Sequence, residues 1–421
     1  MHHFHFVDGW LYCEDVSIED IAEQVGTPFY LYSHATLIRH FKAFDQAFEG
    51  LDRLVCFSAK ANSSQAILRL FATLGSGLDI VSGGELYRGL KAGFAPSSIV
   101  YSGVGKTSEE IDSVLEHGIF MLNVESRSEL ELINERAGRL GCQAPIAVRV
   151  NPDVDPKTHP YISTGLKKNK FGLSPQTALD VYREARRMAH VAVIGIDCHI
   201  GSQITAADPF RDALARLRGM IKQLGREKID IRVVDVGGGL GITYQDEVPP
   251  HPVDYGAAIR EGLDGLDVRL VLEPGRVIVG NAGILVTRVL HRKASDEKTF
   301  LVVDAGMNDL IRPSLYDAFH DIWPICEATG KSRIEADVVG PICETSDFLS
   351  RNRSVPDAVP GELLAVMSAG AYGYTMASNY CSRRRVPEVM VKDKAFYVIR
   401  RRQTHEDLIA GESVPEFLDA R

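Results

Sequence analysis

The chain has 421 residues, 45% of them hydrophobic and 24% charged, and a formal net charge of -9. Single cores stop growing at roughly 250 to 300 residues, so this length implies two domains. The acidic balance argues against phosphate-backbone binding as the main task, and so against nucleic acid as a partner.

Seven cysteines are scattered from Cys13 to Cys381 without metal-ligand spacing, which points to a reducing compartment. The opening Met-His-His-Phe-His-Phe has no charged segment followed by an apolar one, and no run reaches the ~18 apolar residues that cross a bilayer. The expectation is a cytoplasmic protein that uses no membrane. The early histidines continue into Trp10-Leu11-Tyr12 and read as a strand, so no metal is expected.

Residues 1–26 look strand-like and precede a helix at about 35–48. From there β-rich runs alternate with amphipathic stretches, at 54–58, 78–81, 99–102, 119–124, 146–150, 193–198, 233–236 and 268–272. Between the sixth and seventh runs, Phe210, Leu214, Leu217, Ile221 and Leu224 fall on one face of a helix. Eight alternations over about 220 residues predict an α/β fold, a closed (β/α)8 TIM-type barrel rather than an open sheet, because parallel strands need both faces covered. After Gly275 the texture turns to β-rich pieces near 284–291, 300–304 and 363–367, a mostly β C-terminal domain. The expected division is 1–26 joining the β domain, 27–275 as the barrel, and 276–421 as the β domain.

Functional groups in such barrels sit at the carboxyl ends of strands. Lys60 follows the first run, His199 and Ser202 the sixth, Gly237-Gly238-Gly239 the seventh, and Glu273-Pro274-Gly275-Arg276 the eighth. An amine for an aldehyde and backbone N–H groups for a dianionic phosphate are what pyridoxal 5'-phosphate needs from a protein. Val55, Cys56 and Phe57 give Lys60 an apolar setting that favours its neutral amine. Glu273 would pair a pyridinium N–H, and His199 could lie against the ring. Each motif also has a plainer reading: a surface lysine, a tight glycine turn, a Glu–Arg ion pair, a core histidine. A dinucleotide site fails on spacing, since the G-x-G-x-x-G pattern would need glycine at Ile242.

Taken together, Phe57-Ser58-Ala59-Lys60-Ala61-Asn62, His159 to Gly165, Lys170-Phe171-Gly172, His199-Ile200-Gly201-Ser202-Gln203, Gly237 to Gly241, Glu273-Pro274-Gly275-Arg276, Gly340-Pro341-Ile342-Cys343-Glu344 and Gly370-Ala371-Tyr372-Gly373 carry a resemblance across nearly the whole chain. The sequence resembles the fold-type III, alanine-racemase-like pyridoxal phosphate enzymes, and within them the diaminopimelate decarboxylases. The resemblance implies decarboxylation of meso-2,6-diaminopimelate to L-lysine, the last step of lysine biosynthesis. It implies Lys60 as the lysine bonded to the cofactor, and Gly238, Gly239, Ser202, Gly275 and Arg276 at its phosphate. Glu273 would meet the ring nitrogen and Tyr372 both cofactor and substrate. Arg276, Arg312 and Tyr316 would hold the distal carboxylate, Glu344 the distal ammonium, and Cys343 would return the proton. It also implies a homodimer whose active site takes Cys343 and Glu344 from the neighbouring chain.

By themselves Arg312 and Tyr316, four apart, are equally a surface pair on a helix, and Cys343 a small buried hydrophobe. Two other functions remain open: a decarboxylase of another basic amino acid or carboxylated polyamine on the same fold, and a non-catalytic cofactor-binding regulator.

Overall fold

A computed structural model describes residues 2–154, 170–327 and 332–419. The 159–165 motif and most of the 151–171 connection lie outside the described residues. The chain forms two units: Leu37–Asn281, and Met1–Thr36 together with Ala282–Arg421.

In the Leu37–Asn281 unit eight parallel strands close into a barrel, in chain order Arg53–Ser58, Gly77–Ile80, Ile99–Tyr101, Met121–Val124, Ala144–Arg149, Val191–Asp197, Val233–Asp235 and Arg269–Leu272. The last pairs with the first through Leu270 opposite Arg53, so no edge remains to be protected. The connecting helices start and stop where local chemistry dictates. Ser82, Thr107 and Ser126 cap three of them through side-chain oxygens, and Gly93, Gly118 and Gly141 end the same three in the left-handed region.

Strand register sorts the side chains. Leu54, Cys56, Val100, Met121, Ala147, Val233 and Val271 form one apolar cluster in the barrel interior. Alternate residues point outward: Phe57 meets Phe71 of the helix Gln65–Thr73 with ring centroids 4.4 Å apart. Where the interior is crowded the chain uses glycine. A Cβ at Gly195 would lie 2.9 Å from the Val233 carbonyl oxygen and 3.2 Å from the Met121 sulfur. Two residues further along each strand, the same inward face becomes polar: Ser58, Asp79, Ser102, Asn123, Arg149, Asp197, Asp235 and Glu273.

The second unit is a nine-stranded mixed sheet with a three-stranded antiparallel sheet, the latter built from Phe4–Val7, Trp10–Cys13 and Val16–Ser17. Its central strand, Gly283–Ala294, is long enough to serve several neighbours: Phe29–Ser33 and Leu363–Val366 along its first half, Thr299–Val303 along its second. Leu11, Ile18, Ile21, Phe29, Leu31, Ile284 and Val286 are buried together in its core.

The sequence boundary at residue 27 placed residues 27–36 in the barrel. Instead Phe29–Ser33 pairs antiparallel with Gly283–Ala294 and parallel with Glu388–Lys392, in the β unit. A short, fully buried run rich in aromatic side chains suits a strand of either sheet, and the barrel already closes with eight. At the other end, the short helix Arg276–Val279 stays with the barrel, moving that boundary from 275 to 281.

Gly195→Val is expected to destabilise the protein by about 1–3 kcal/mol through overpacking. Denaturant unfolding checks this; a change below ~0.5 kcal/mol would show that the interior is looser than the register implies.

Candidate active site

Lys60 leaves the first barrel strand on a single 3-10 turn, Ala59–Ala61. Its Nζ lies 2.7 Å from Oδ2 of Asp79, a carboxylate with no exposed side-chain surface, and the same oxygen accepts the Ser58 hydroxyl. The expected apolar setting is therefore corrected. Cys56 faces down into the barrel and Phe57 faces out to the helices, so the amine meets the polar end of the interior.

That polar end is a ring of buried carboxyls. Glu273 accepts the Ser102 hydroxyl at 3.1 Å. Asp235 accepts the Gly237 N–H at 2.9 Å and the Asn123 amide at 3.1 Å. Burial raises the pKa of Glu273 and Asp197 well above the usual carboxylate range. Asp235 is pushed up to about 7, by burial first and then by the Asp197 charge. Arg149 opposes this negative charge: its Nη1 donates to Glu125 at 2.9 Å and its Nε lies 3.8 Å from Asp197. Glu125 also accepts the Gly103 and Gly172 N–H groups, while its own N–H donates to Glu129, which pairs with the fully buried Lys106 at 2.7 Å.

His199 follows the sixth strand. Its Nδ1 accepts the Gly238 N–H at 3.0 Å, which places a proton on Nε2. Burial, aided by the positive charges of Arg149 and Lys60, drives its pKa well below normal, so the ring is neutral. Gly237 and Gly239 have φ of +65° and +109°, and a Cβ on Gly238 would collide with the Glu273 carbonyl oxygen. The loops after the sixth, seventh and eighth strands are tied together: Ile204 N–H to Gly239 O at 2.9 Å, and Arg276 Nη2 to Ser202 Oγ at 3.0 Å. Arg276 Nη1 also donates to the Tyr244 hydroxyl at 2.7 Å. Lys60, His199, Ser202, Gly238, Gly239, Glu273, Gly275 and Arg276 thus all lie at the carboxyl ends of barrel strands.

The remaining sequence candidates belong to the other unit. Arg312 and Tyr316 share the one-turn helix Arg312–Tyr316, the guanidinium carbon 6.0 Å from the tyrosine ring centre. Arg312 is buried, which removes the reading as a plain surface pair. Cys343 is exposed rather than a buried hydrophobe. Glu344 accepts the Tyr380 hydroxyl at 2.6 Å and the Ser346 hydroxyl, and these two bonds lower its pKa. Tyr372 sits at φ +56°, in the left-handed region.

Sequence reasoning missed Asp79, Asn123, Asp197 and Asp235. Their shared signal was visible: one polar residue near the end of each otherwise apolar strand, a costly placement without a task. It also passed over Asp347. This buried carboxylate accepts the N–H groups of Met307 and Ile342, both at 2.6 Å, and so fixes the turn that presents Cys343 and Glu344.

The pyridoxal-binding domain of the pyridoxal-dependent decarboxylases matches residues 34–280. A diaminopimelate decarboxylase of Pseudomonas aeruginosa is 51% identical over 411 residues, covering 98% of this chain and 99% of the relative. One from Vibrio cholerae is 52% identical over 408 residues, with 97% of each covered. This chain belongs to the diaminopimelate decarboxylase family. Among solved structures, the M. jannaschii diaminopimelate decarboxylase in co-complex with L-lysine superimposes with a TM-score of 0.94 at 39% identity, over 99% of this chain and all of that one. Membership makes the chain a pyridoxal-dependent carboxy-lyase, with pyridoxal 5'-phosphate as its cofactor.

The Asp235 shift fixes a pH dependence. Because its folded pKa lies above the unfolded value, the folded state binds more protons between about pH 4 and 7, and stability falls as pH rises through that window before levelling. Asp235→Asn is expected to flatten this slope in denaturant titrations across the window, and an unchanged slope would contradict the shift.

Proposed function

We propose that this chain decarboxylates meso-2,6-diaminopimelate to L-lysine and carbon dioxide, the last step of lysine biosynthesis. The observation that carries the reading is the presence at one barrel mouth of Lys60, paired to Asp79, and of a buried, proton-retaining Glu273, in a chain half identical to diaminopimelate decarboxylases over nearly its full length. The residues suit pyridoxal 5'-phosphate. Glu273 is a buried carboxyl that gains from a ring-nitrogen partner, because sharing a proton with a pyridine removes the cost of an isolated buried charge. The close-packed glycines at 237–239 leave no room for side chains, as backbone approach to a phosphate requires. When bound, the cofactor supplies an electron sink for the pair released as carbon dioxide departs.

The protein's own groups do the rest. Lys60 would hold the cofactor through its side-chain amine, and Asp79, 2.7 Å from that nitrogen, would pair the ammonium whenever the amine is free. Neutral His199 presents a flat face without adding charge beside the ring. Ser202, Gly238, Gly239, Gly275 and Arg276 hold the phosphate, and Tyr372 reaches cofactor and substrate. Arg276, Arg312 and Tyr316 receive the distal carboxylate, for which guanidinium forks are suited. Glu344, kept ionised by Tyr380 and Ser346, opposes the distal ammonium. Cys343 returns a proton to the carbon that lost its carboxylate.

In this reading the working unit is a homodimer in the cytoplasm, with Cys343 and Glu344 contributed by the second copy. An exposed Cys–Glu turn braced by Asp347 suits a contribution made across an interface. Among the described residues, no helix is long and apolar enough to cross a membrane.

Carbon dioxide release from the three diaminopimelate stereoisomers, with ornithine and lysine as control substrates and lysine identified as the diaminopimelate product, tests the reading. Turnover of the meso isomer should exceed that of substrates lacking the distal amino-acid end by about 10⁴-fold or more. Equal rates with ornithine would overturn the substrate assignment. Lys60→Ala should lower turnover by about 10²–10⁴-fold or more, the scale of losing an acid–base group.

A further inference from the structure

We propose that His320 is a positioning residue that orients the guanidinium of Arg312 for the substrate's distal carboxylate. This deepens the reading above and rests on its assignment of Arg312. His320 is fully buried just beyond the helix Arg312–Tyr316. Its Nδ1 lies 2.9 Å from the Met367 carbonyl oxygen. A carbonyl only accepts, so the proton sits on Nδ1 and Nε2 keeps its lone pair. Arg312 Nε–H donates to that lone pair at 3.3 Å. Nε is the guanidinium nitrogen that a two-pronged grip through both Nη groups leaves out. Holding it from behind therefore fixes the plane of the fork without competing for its tips.

The imidazole is itself held in place. Arg353 Nη1 donates to the His320 carbonyl oxygen at 3.0 Å, and its guanidinium lies 3.7 Å from the centre of the Phe319 ring. On the other side, Met367 N–H donates to the Asp321 carbonyl oxygen at 2.8 Å, and the Asp321 carboxylate accepts Ile322 N–H at 2.9 Å and Trp323 Nε1–H at 2.7 Å. Residues 319–321 are thus pinned on both flanks. The strand Leu363–Val366, next to Met367, belongs to the central sheet of this unit. Arg312 is oriented from that sheet through a neutral ring that adds no charge of its own.

Two substitutions separate the two ring nitrogens. Asparagine reproduces the Nδ1 donor toward Met367 but cannot reach Arg312; glutamine reproduces an acceptor at the Nε2 position. Steady-state kinetics with meso-diaminopimelate on the cofactor-loaded enzyme should show His320→Asn raising KM about 10-fold or more, as expected for a misplaced binding group, with kcat changed less than about threefold. His320→Gln should stay within about threefold of the parent KM. In an Arg312→Lys background, which has no Nε–H to hold, His320→Asn should add almost nothing. A His320→Asn KM equal to that of the parent, or a rise of the same size in the Arg312→Lys background, overturns the inference and marks His320 as merely structural. If Arg312→Lys alone leaves KM unchanged, the carboxylate assignment of Arg312 falls, and the inference with it.

Discussion

A barrel interior that turns from apolar to acidic within one step of side chains is the constraint on which this protein depends. Strand register forces it: the inward face that carries Val100, Met121 and Val233 carries Ser102, Asn123 and Asp235 two residues later. Glu125, Asp79, Asp197, Asp235 and Glu273 are all buried, with Arg149 among them and Lys60 paired to Asp79. Oδ1 of Asp79 and Oδ1 of Asp197 find no hydrogen-bond partner among the described residues. Isolated buried charges cost several kcal/mol each, so Glu273, Asp197 and Asp235 hold their protons tightly and gain from any bound group that shares one. The raised pKa values of Glu273, Asp197 and Asp235 express that pressure.

This separates the polar barrel end, where the proposed chemistry lies, from the apolar end that carries packing. The apolar cluster around Leu54 and Met121 packs to interior density, with Gly195 giving way where a side chain would not fit. The polar end is costly, and a bound group that shared a proton there would recover part of the cost. The Lys106–Glu129–Glu125–Arg149 chain extends the same logic outward from the centre. Lys106 pairs with Glu129, which also accepts the Glu125 N–H, and the Glu125 carboxylate pairs with Arg149, so Arg149 is held beside Asp197, where its charge adds to burial in lowering the His199 pKa.

Much of this was legible in the sequence, for identifiable reasons. The eight strands announce themselves because parallel strands covered on both faces must be short, apolar and bounded by turn residues. The carboxyl-end positions of Lys60, His199, Gly237 to Gly239 and Glu273 follow once the strands are placed. Phe29–Ser33 falls in the β unit rather than the barrel because a short strand-forming run carries no mark of which sheet will take it. The Lys60 environment was misread because neighbours along a strand point to opposite faces, whereas its partner Asp79 comes from the next strand. Asp347 and His320 were invisible for a related reason: each acts through backbone groups or a side chain brought near only by folding.

The proposed function requires a covalent bond between the cofactor aldehyde and the nitrogen of Lys60, which faces the buried carboxyl ring. Borohydride reduction of the cofactor-loaded protein, followed by peptide mapping by mass spectrometry, reads that bond directly. A phosphopyridoxyl adduct on the peptide containing Lys60, with loss of visible absorbance, is the expected result. A protein that binds no cofactor, or one whose adduct maps to another lysine, would contradict it.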